Sequence, residues 1–265
     1  MLMKSVLITG AAGGMGWAAV KLFCERGYRV FALDIKEVDF GEGVVPIVAD
    51  VTSDESVLSA AEAVGKYTES LDAILHFAGV YMLDSLLEIE DGQFRRIFDI
   101  NLRGAYLINK HFAKFLHTGA SILITTSELA PLDPLPFTGI YAVSKVALDK
   151  YAYSLRMEMQ LLGVRVSVLR AGAVKTDMLG VSTSALDRFC ENTKLYSCNA
   201  KRFKGIVERV EARSVEPSKI SARALSIIEK KNPKFAYSIN KNPLLSLLNI
   251  LPSRVQFFAI RRILR

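Results

Sequence analysis

Short apolar runs of strand length alternate with longer stretches of helical composition along nearly the whole chain. The runs are rich in β-branched residues and bounded by glycine, proline, aspartate or serine. The pattern predicts seven strands, near residues 4–9, 29–34, 45–49, 71–76, 120–126, 164–170 and 234–238. Strands that alternate with helices imply an α/β fold, a parallel sheet covered by helices on both sides. At 265 residues the chain suits one domain, 1–265, able to bury a substantial core. No internal repeat or low-complexity tract interrupts the alternation.

The first strand, Lys4 to Thr9, runs into Thr9-Gly10-Ala11-Ala12-Gly13-Gly14-Met15-Gly16. A stretch free of further glycine and of proline, Trp17 to Arg26, then reads as a helix. Strand, glycine turn and helix is the context that gives such a motif meaning. Glycines let the backbone turn tightly and approach a pyrophosphate, which rests on the unpaired N–H groups of the helix start. The second strand ends at Asp34, 18 residues after Gly16, close to the spacing expected of an acid that accepts from ribose hydroxyls. A carboxylate there repels a 2′-phosphate, Ile35 is apolar, and only Lys36 is basic nearby. NAD is therefore favoured over NADP.

Tyr141 and Lys145 stand four apart in Tyr141-Ala142-Val143-Ser144-Lys145, one turn apart on the same helix face. A phenol titrates near ~10 in water, and an ammonium beside it favours the phenolate. The pair predicts a tyrosine of lowered pKa, able to exchange a proton with an alcohol or carbonyl oxygen. Ser127, just upstream, reinforces this reading.

With these segments in place the chain resembles the short-chain dehydrogenase/reductase family over nearly its whole length, which implies a Rossmann-type doubly wound seven-stranded sheet. Thr9-Gly10-x-x-x-Gly14-Met15-Gly16 is similar to the family's cofactor turn, and Asp50-Val51-Thr52 to its adenine-contacting segment. Phe77-Ala78-Gly79 matches the end of its Asn-Asn-Ala-Gly segment, with His76 and Phe77 in place of both asparagines. Asn101, Ser127, Tyr141 and Lys145 match its catalytic tetrad. Arg170-Ala171-Gly172-Ala173-Val174-Lys175-Thr176 resembles its nicotinamide-holding Pro-Gly-x-Val-x-Thr segment, with alanine replacing proline. The resemblance implies hydride transfer between nicotinamide and a carbon bearing oxygen. Tyr141 would be the acid or base, and Ser127 would bind the substrate oxygen. Lys145 would tune the phenol and hold ribose, and Asn101 would kink its helix and anchor a water. Gly172, Val174 and Thr176 would hold the nicotinamide end.

Substrate choice falls to the loops after the strands. Residues 128–140 and a lid at about 177–205 would place Leu129, Leu135, Phe137, Met178, Leu179, Leu186 and Phe189 around an apolar pocket. His76, Tyr81 and Tyr153 read as structural. The expected substrate is a bulky apolar alcohol or ketone such as a hydroxysteroid. Reduction of 3-oxoacyl thioesters is the alternative, and a dinucleotide sensor without turnover is disfavoured by the tetrad.

The net charge of +7 is uneven: residues 201–265 hold 15 Lys and Arg against 4 Asp and Glu, leaving −4 on the remainder. No nucleic-acid module accompanies the excess, so nucleic acid is not expected as a partner. Cys24, Cys190 and Cys198 lack metal-ligand spacing, so no metal is expected. No signal peptide or spanning segment is legible, and the cytoplasm is the expected compartment. An apolar and basic extension, about 243–265, reads first as packing against its own or a partner subunit, in a homodimer or homotetramer. Its second reading is an interfacial segment on anionic membrane, giving peripheral membrane contact.

Overall fold

A computed structural model describes residues 3–211 and 214–265, with the side chains of 177–183 and 209–211 outside the description. Seven strands form one parallel sheet in the order β3-β2-β1-β4-β5-β6-β7. They are β1 (Ser5–Thr9), β2 (Arg29–Asp34), β3 (Val44–Val48), β4 (Leu71–His76), β5 (Leu116–Ser127), β6 (Arg165–Ala171) and β7 (Ala236–Ile239). All seven predicted strands are present. β5 begins four residues early because Leu116 pairs with Leu71 ahead of a register shift, and the exposed His117, Thr118 and Gly119 hid that extension.

Successive side chains of a strand face opposite sides of the sheet, and here each side has its own helices. Val6 and Ile8 of β1, with Val30 and Ala32 of β2, join a cluster built on α1 (Gly14–Glu25) and α8 (Pro217–Ile228). Leu7, Phe31 and Leu33 point the other way, onto α2 (Asp54–Gly65) and α4 (Gly104–Phe112). Farther along that second side, Leu148 and Ala152 of α5 (Gly139–Met159) cover Ile122, Ile124 and Val166. Strands apolar on both faces are what a parallel sheet between two helix layers requires.

A smaller cluster lies off the sheet. Leu83 and Phe137 meet Leu186 and Phe189 of α6 (Asp177–Asn192), Phe203 of α7 (Ser197–Glu211), and Leu264 of α10 (Ser253–Leu264). α9 (Pro243–Ile250) precedes α10. The strand order reverses between β1 and β4, so the ends of these two strands open a crevice, the place where doubly wound sheets bind ligands.

Candidate active site

Glycine is required at the turn after β1 for steric reasons. Gly10 has φ +66°, and a Cβ there would sit 2.6 Å from the Ala78 nitrogen. At Gly16 a Cβ would lie 2.1 Å from the Gly10 carbonyl oxygen, and at Gly14 it would lie 2.7 Å from Cγ2 of Thr176. These contacts let α1 start directly over the end of β1. Its first turn has no side-chain cap and no acid, so its N–H groups face the cleft as an anion site. Thr9 is fully buried, and its hydroxyl accepts from the Ala78 amide at 3.3 Å, joining the ends of β1 and β4.

A cleft of about 920 Å³ runs along these ends. Gly10, Gly14, Met15 and Gly16 form its floor, Asp34, Asp50 and Val51 one end, and Ala78, Gly79 and Thr176 the other. Asp34 accepts from the Ala12 amide at 3.0 Å and from the Lys36 amide at 3.1 Å. Its carboxylate is thus fixed at the lip, with Lys36 beside it. Asp50 caps its own turn through the Thr52 amide and hydroxyl, both at 2.8 Å. The size of the cleft, the uncapped helix start and the fixed carboxylate fit a nicotinamide dinucleotide. Gly172 and Val174 sit elsewhere. A Cβ on Gly172 would lie 2.0 Å from the Asn240 carbonyl oxygen, and Val174 is buried in the core beside Val215. Both take part in packing, which leaves their backbone as the part that could meet a ligand.

The four candidate catalytic residues converge from β5, α5 and a π-helical turn, Asp99–Arg103. Asn101 lies at the centre of that turn, so the helix is deformed where a kink was expected. Its amide donates to the Val80 carbonyl and to Ser144 Oγ, each at 3.0 Å, and its oxygen accepts from the Val80 amide at 2.8 Å. Ser144 Oγ in turn donates to the Tyr141 carbonyl at 2.8 Å, linking asparagine and tyrosine. Ser127 and Tyr141 share a side-chain hydrogen bond. Lys145 is buried and donates to the Thr125 carbonyl at 3.3 Å. Asp149, one turn on, locks α5 to the sheet through a bidentate pair with Arg170, at 3.0 and 2.7 Å.

The electrostatics correct one expectation. Tyr141 is not lowered but pushed up to about 12, because burial outweighs its bond to Ser127 and the nearby Glu128 carboxylate adds to the rise. Burial brings Lys145 down to about 8. Burial shifts both side chains toward their neutral forms, although at about 8 the Lys145 ammonium still keeps most of its charge at neutral pH.

The other residues singled out divide between the cleft wall and the packed scaffold. Tyr81 lines the cleft with its ring 4.8 Å from that of Tyr141, so it belongs to the site and not only to the scaffold. His76 is buried against Asn109 at 3.0 Å, its imidazole held neutral by burial at about 4. Tyr153 packs edge-on against Phe235, on an exposed face. Phe189 reaches the cleft, whereas Leu186 is buried within its own cluster. Phe137, at φ +65°, packs tilted against Phe189 and edge-on against Tyr196 and Phe203. Leu129 and Leu135 are partly buried and do not reach the cleft. Met178 and Leu179 lie outside the described side chains. The outer wall is more charged than expected, since Glu88, Glu90, Arg96 and Arg188 face it beside Met82, Leu83 and Ile89. Glu88 anchors the end of α6, accepting from the Thr193 hydroxyl at 2.6 Å and the Lys194 amide at 2.7 Å. Among the described residues no group of three metal-binding side chains occurs.

A sequence profile described as short chain dehydrogenase matches residues 4–187. The chain belongs to the short-chain dehydrogenase/reductase family. It is 28% identical to the uncharacterized oxidoreductase YbbO of Escherichia coli over 262 residues, which cover 96% of this chain and 93% of that one. Over 192 residues it is 30% identical to an NADPH-dependent 1-acyldihydroxyacetone phosphate reductase of Schizosaccharomyces pombe, covering 69% and 65% of the two chains. The crystal structure of a 3-ketoacyl-(acyl-carrier-protein) reductase from Brucella melitensis, complexed with NADH, superposes with a TM-score of 0.72 at 20% identity. It covers 89% of this chain and 96% of that one, a likeness of fold. The protein is an oxidoreductase of the class that interconverts alcohols and carbonyls with a nicotinamide dinucleotide.

Proposed function

We propose that this enzyme interconverts a secondary alcohol and a ketone on a bulky apolar molecule, such as a hydroxysteroid, with NAD(H). The observation that carries the reaction is the convergence of Ser127, Tyr141, Lys145 and Asn101 directly behind the cleft wall formed by Gly79 and Tyr81. A Cβ on Gly79 would lie 3.2 Å from Asn101 Oδ1 and 3.3 Å from Lys145 Nζ, so this bare backbone leaves room where the ribose would lie.

The dinucleotide, when bound, supplies or accepts the hydride. In reduction, the phenol of Tyr141 gives its proton to the oxygen of the substrate while Ser127 hydrogen-bonds the same atom. A phenol raised to about 12 stays protonated at neutral pH, so the donor proton is in place for reduction, although the rise itself weakens the acid. Lys145 holds the cofactor ribose, and Ser144 and Asn101 fix the helix that carries Tyr141. In oxidation the proton leaves the alcohol through Tyr141.

NAD is the proposed cofactor because Asp34 is fixed at the adenosine end, where its charge opposes a 2′-phosphate. A large apolar substrate is supported by Tyr81, Met82, Leu83, Ile89 and Phe189 along the wall, with α6 and α7 as its lid. The ketone named for the fission-yeast relative, which bears an acyl group, is consistent with that class. Along α5, Val143, Tyr153 and Met157 are exposed on one helix face, which supports a homodimer or homotetramer. The three unpaired thiols suit a reducing cytoplasm. A screen of steroid, bile-acid and long-chain lipid alcohols with NAD and NADP, read by the absorbance of the reduced cofactor, tests the reading. Turnover confined to small polar sugars or to acyl thioesters would overturn it.

A further inference from the structure

The C-terminal pair of helices is tied down on one side and bare on the other. Toward the protein, the Asn242 amide donates to Glu128 at 2.6 Å and the Asp133 amide donates to Asn249 at 2.6 Å. Gln256, buried although it lies on a terminal helix, donates to Asp133 at 3.2 Å. Asn199 of α7 donates to the Leu264 carbonyl at 2.7 Å. The pair therefore clamps the 128–138 loop, which joins Ser127 to Tyr141, to the lid.

Away from the protein, Leu244, Leu247 and Ile250 recur every third residue of α9 and are 65%, 60% and 79% exposed. Phe257 and Phe258 of α10 are 69% and 71% exposed. Apolar patches of this kind mark an interface. The charge selects the partner. After Glu229 the chain carries eight lysines and arginines and no acidic side chain, and four of them lie on or at the end of α10, at Arg254, Arg261, Arg262 and Arg265. Two copies meeting through this face would bring like charges together, whereas an anionic bilayer accommodates both the cations and the apolar side chains.

We propose that the α9–α10 face docks on an anionic lipid surface, with Leu247, Ile250, Phe257 and Phe258 at the boundary between headgroups and acyl chains. A cavity of about 570 Å³ flanks α10, lined by Ile260, Leu264, Tyr196, Phe137, Leu86 and Leu87. Leu86 lies against Gly139 at the start of the helix that carries Tyr141. Docking would thus bring next to the membrane an apolar opening separated from the catalytic helix by Leu86. The purpose of docking rests on the apolar-substrate reading above, but docking itself needs no turnover.

Sedimentation of the full-length protein with phosphatidylcholine vesicles, with and without phosphatidylserine, tests it. Binding should be about tenfold or more stronger to the anionic vesicles and should fall as salt is added. Phe257→Glu/Phe258→Glu should abolish it while leaving NADH affinity and melting temperature in place, and Arg261→Gln/Arg262→Gln should weaken it even if the first variant folds poorly. The proposal is overturned by a protein that stays in the supernatant or binds neutral vesicles equally well. It is also overturned if the glutamate variant folds and sediments like wild type, or if it changes only the oligomeric state in light scattering. An enzyme inactive on every alcohol tested can still sediment, so the two readings fail separately.

Discussion

Lys145 Nζ stands 5.9 Å from the centre of the Tyr141 ring and donates to the Thr125 carbonyl, not to the phenol. At that distance, in a buried setting, desolvation decides both side chains. The phenol rises to about 12 and the ammonium falls to about 8. Reduction needs a protonated phenol, so its rate should hold steady from about pH 6 to about pH 8. Oxidation needs a base and should climb with pH over the same range, because the phenolate fraction of Tyr141 grows with pH throughout it. Initial rates in both directions across this range check the asymmetry.

Asp34 governs cofactor choice. Asp34→Ala should weaken NAD by removing an acceptor for the ribose diol, and should relieve repulsion of a 2′-phosphate. The preference for NAD over NADP in kcat/KM should narrow or reverse. A wild-type enzyme that already prefers NADP would contradict the assignment.

Ser144 is a positioning residue, since it holds Asn101 and the Tyr141 carbonyl without reaching the cleft. Ser144→Ala leaves the Asn101 amide short of an acceptor, at a cost of about 1–3 kcal/mol for a buried group. If that cost falls on the geometry of Tyr141, kcat should drop while KM for NADH stays near wild type, and Ser144→Thr should restore part of it. A fall in melting temperature with unchanged kcat would make the serine merely structural.

His76 makes the fold acid-sensitive. Above its ordinary value of 6.5 the folded and unfolded chains both carry a neutral imidazole. Between 6.5 and about 4 only the unfolded chain gains the proton, so acidification through that window favours unfolding, by up to roughly 3 kcal/mol. His76→Gln should flatten this part of the stability profile in denaturant titrations.

Much of this was legible locally. The glycine turn, Asp34 and the spacing of Tyr141 and Lys145 are set by residues close in sequence, so their pattern alone marked the turn and Asp34 that line the cleft and the pair on α5 behind it. Ser144 was within the same five-residue segment, and its side chain, one residue from Lys145, was the available signal. Tyr81 gave none, because only the packing of the segment after β4 brings its ring onto Tyr141. Part of the pocket lining was misread for a related reason. Leu186 and Phe137 look like pocket residues by composition, yet they are used to bury one another with Phe203 and Leu264, contacts that span more than a hundred residues. The sign of the Tyr141 shift was missed because sequence shows the neighbouring charge but not the depth of burial that outweighs it.

The central claim is that Tyr141 moves the proton while the cofactor is held elsewhere. The most direct measurement is turnover of Tyr141→Phe alongside its affinity for NADH, on a substrate found in the alcohol screen. A positioned proton donor contributes about 10²–10⁴-fold, so kcat should fall by at least about a hundredfold with NADH binding nearly unchanged. A variant that keeps more than about a tenth of wild-type turnover, well short of the loss expected on removing a proton donor, would contradict the account.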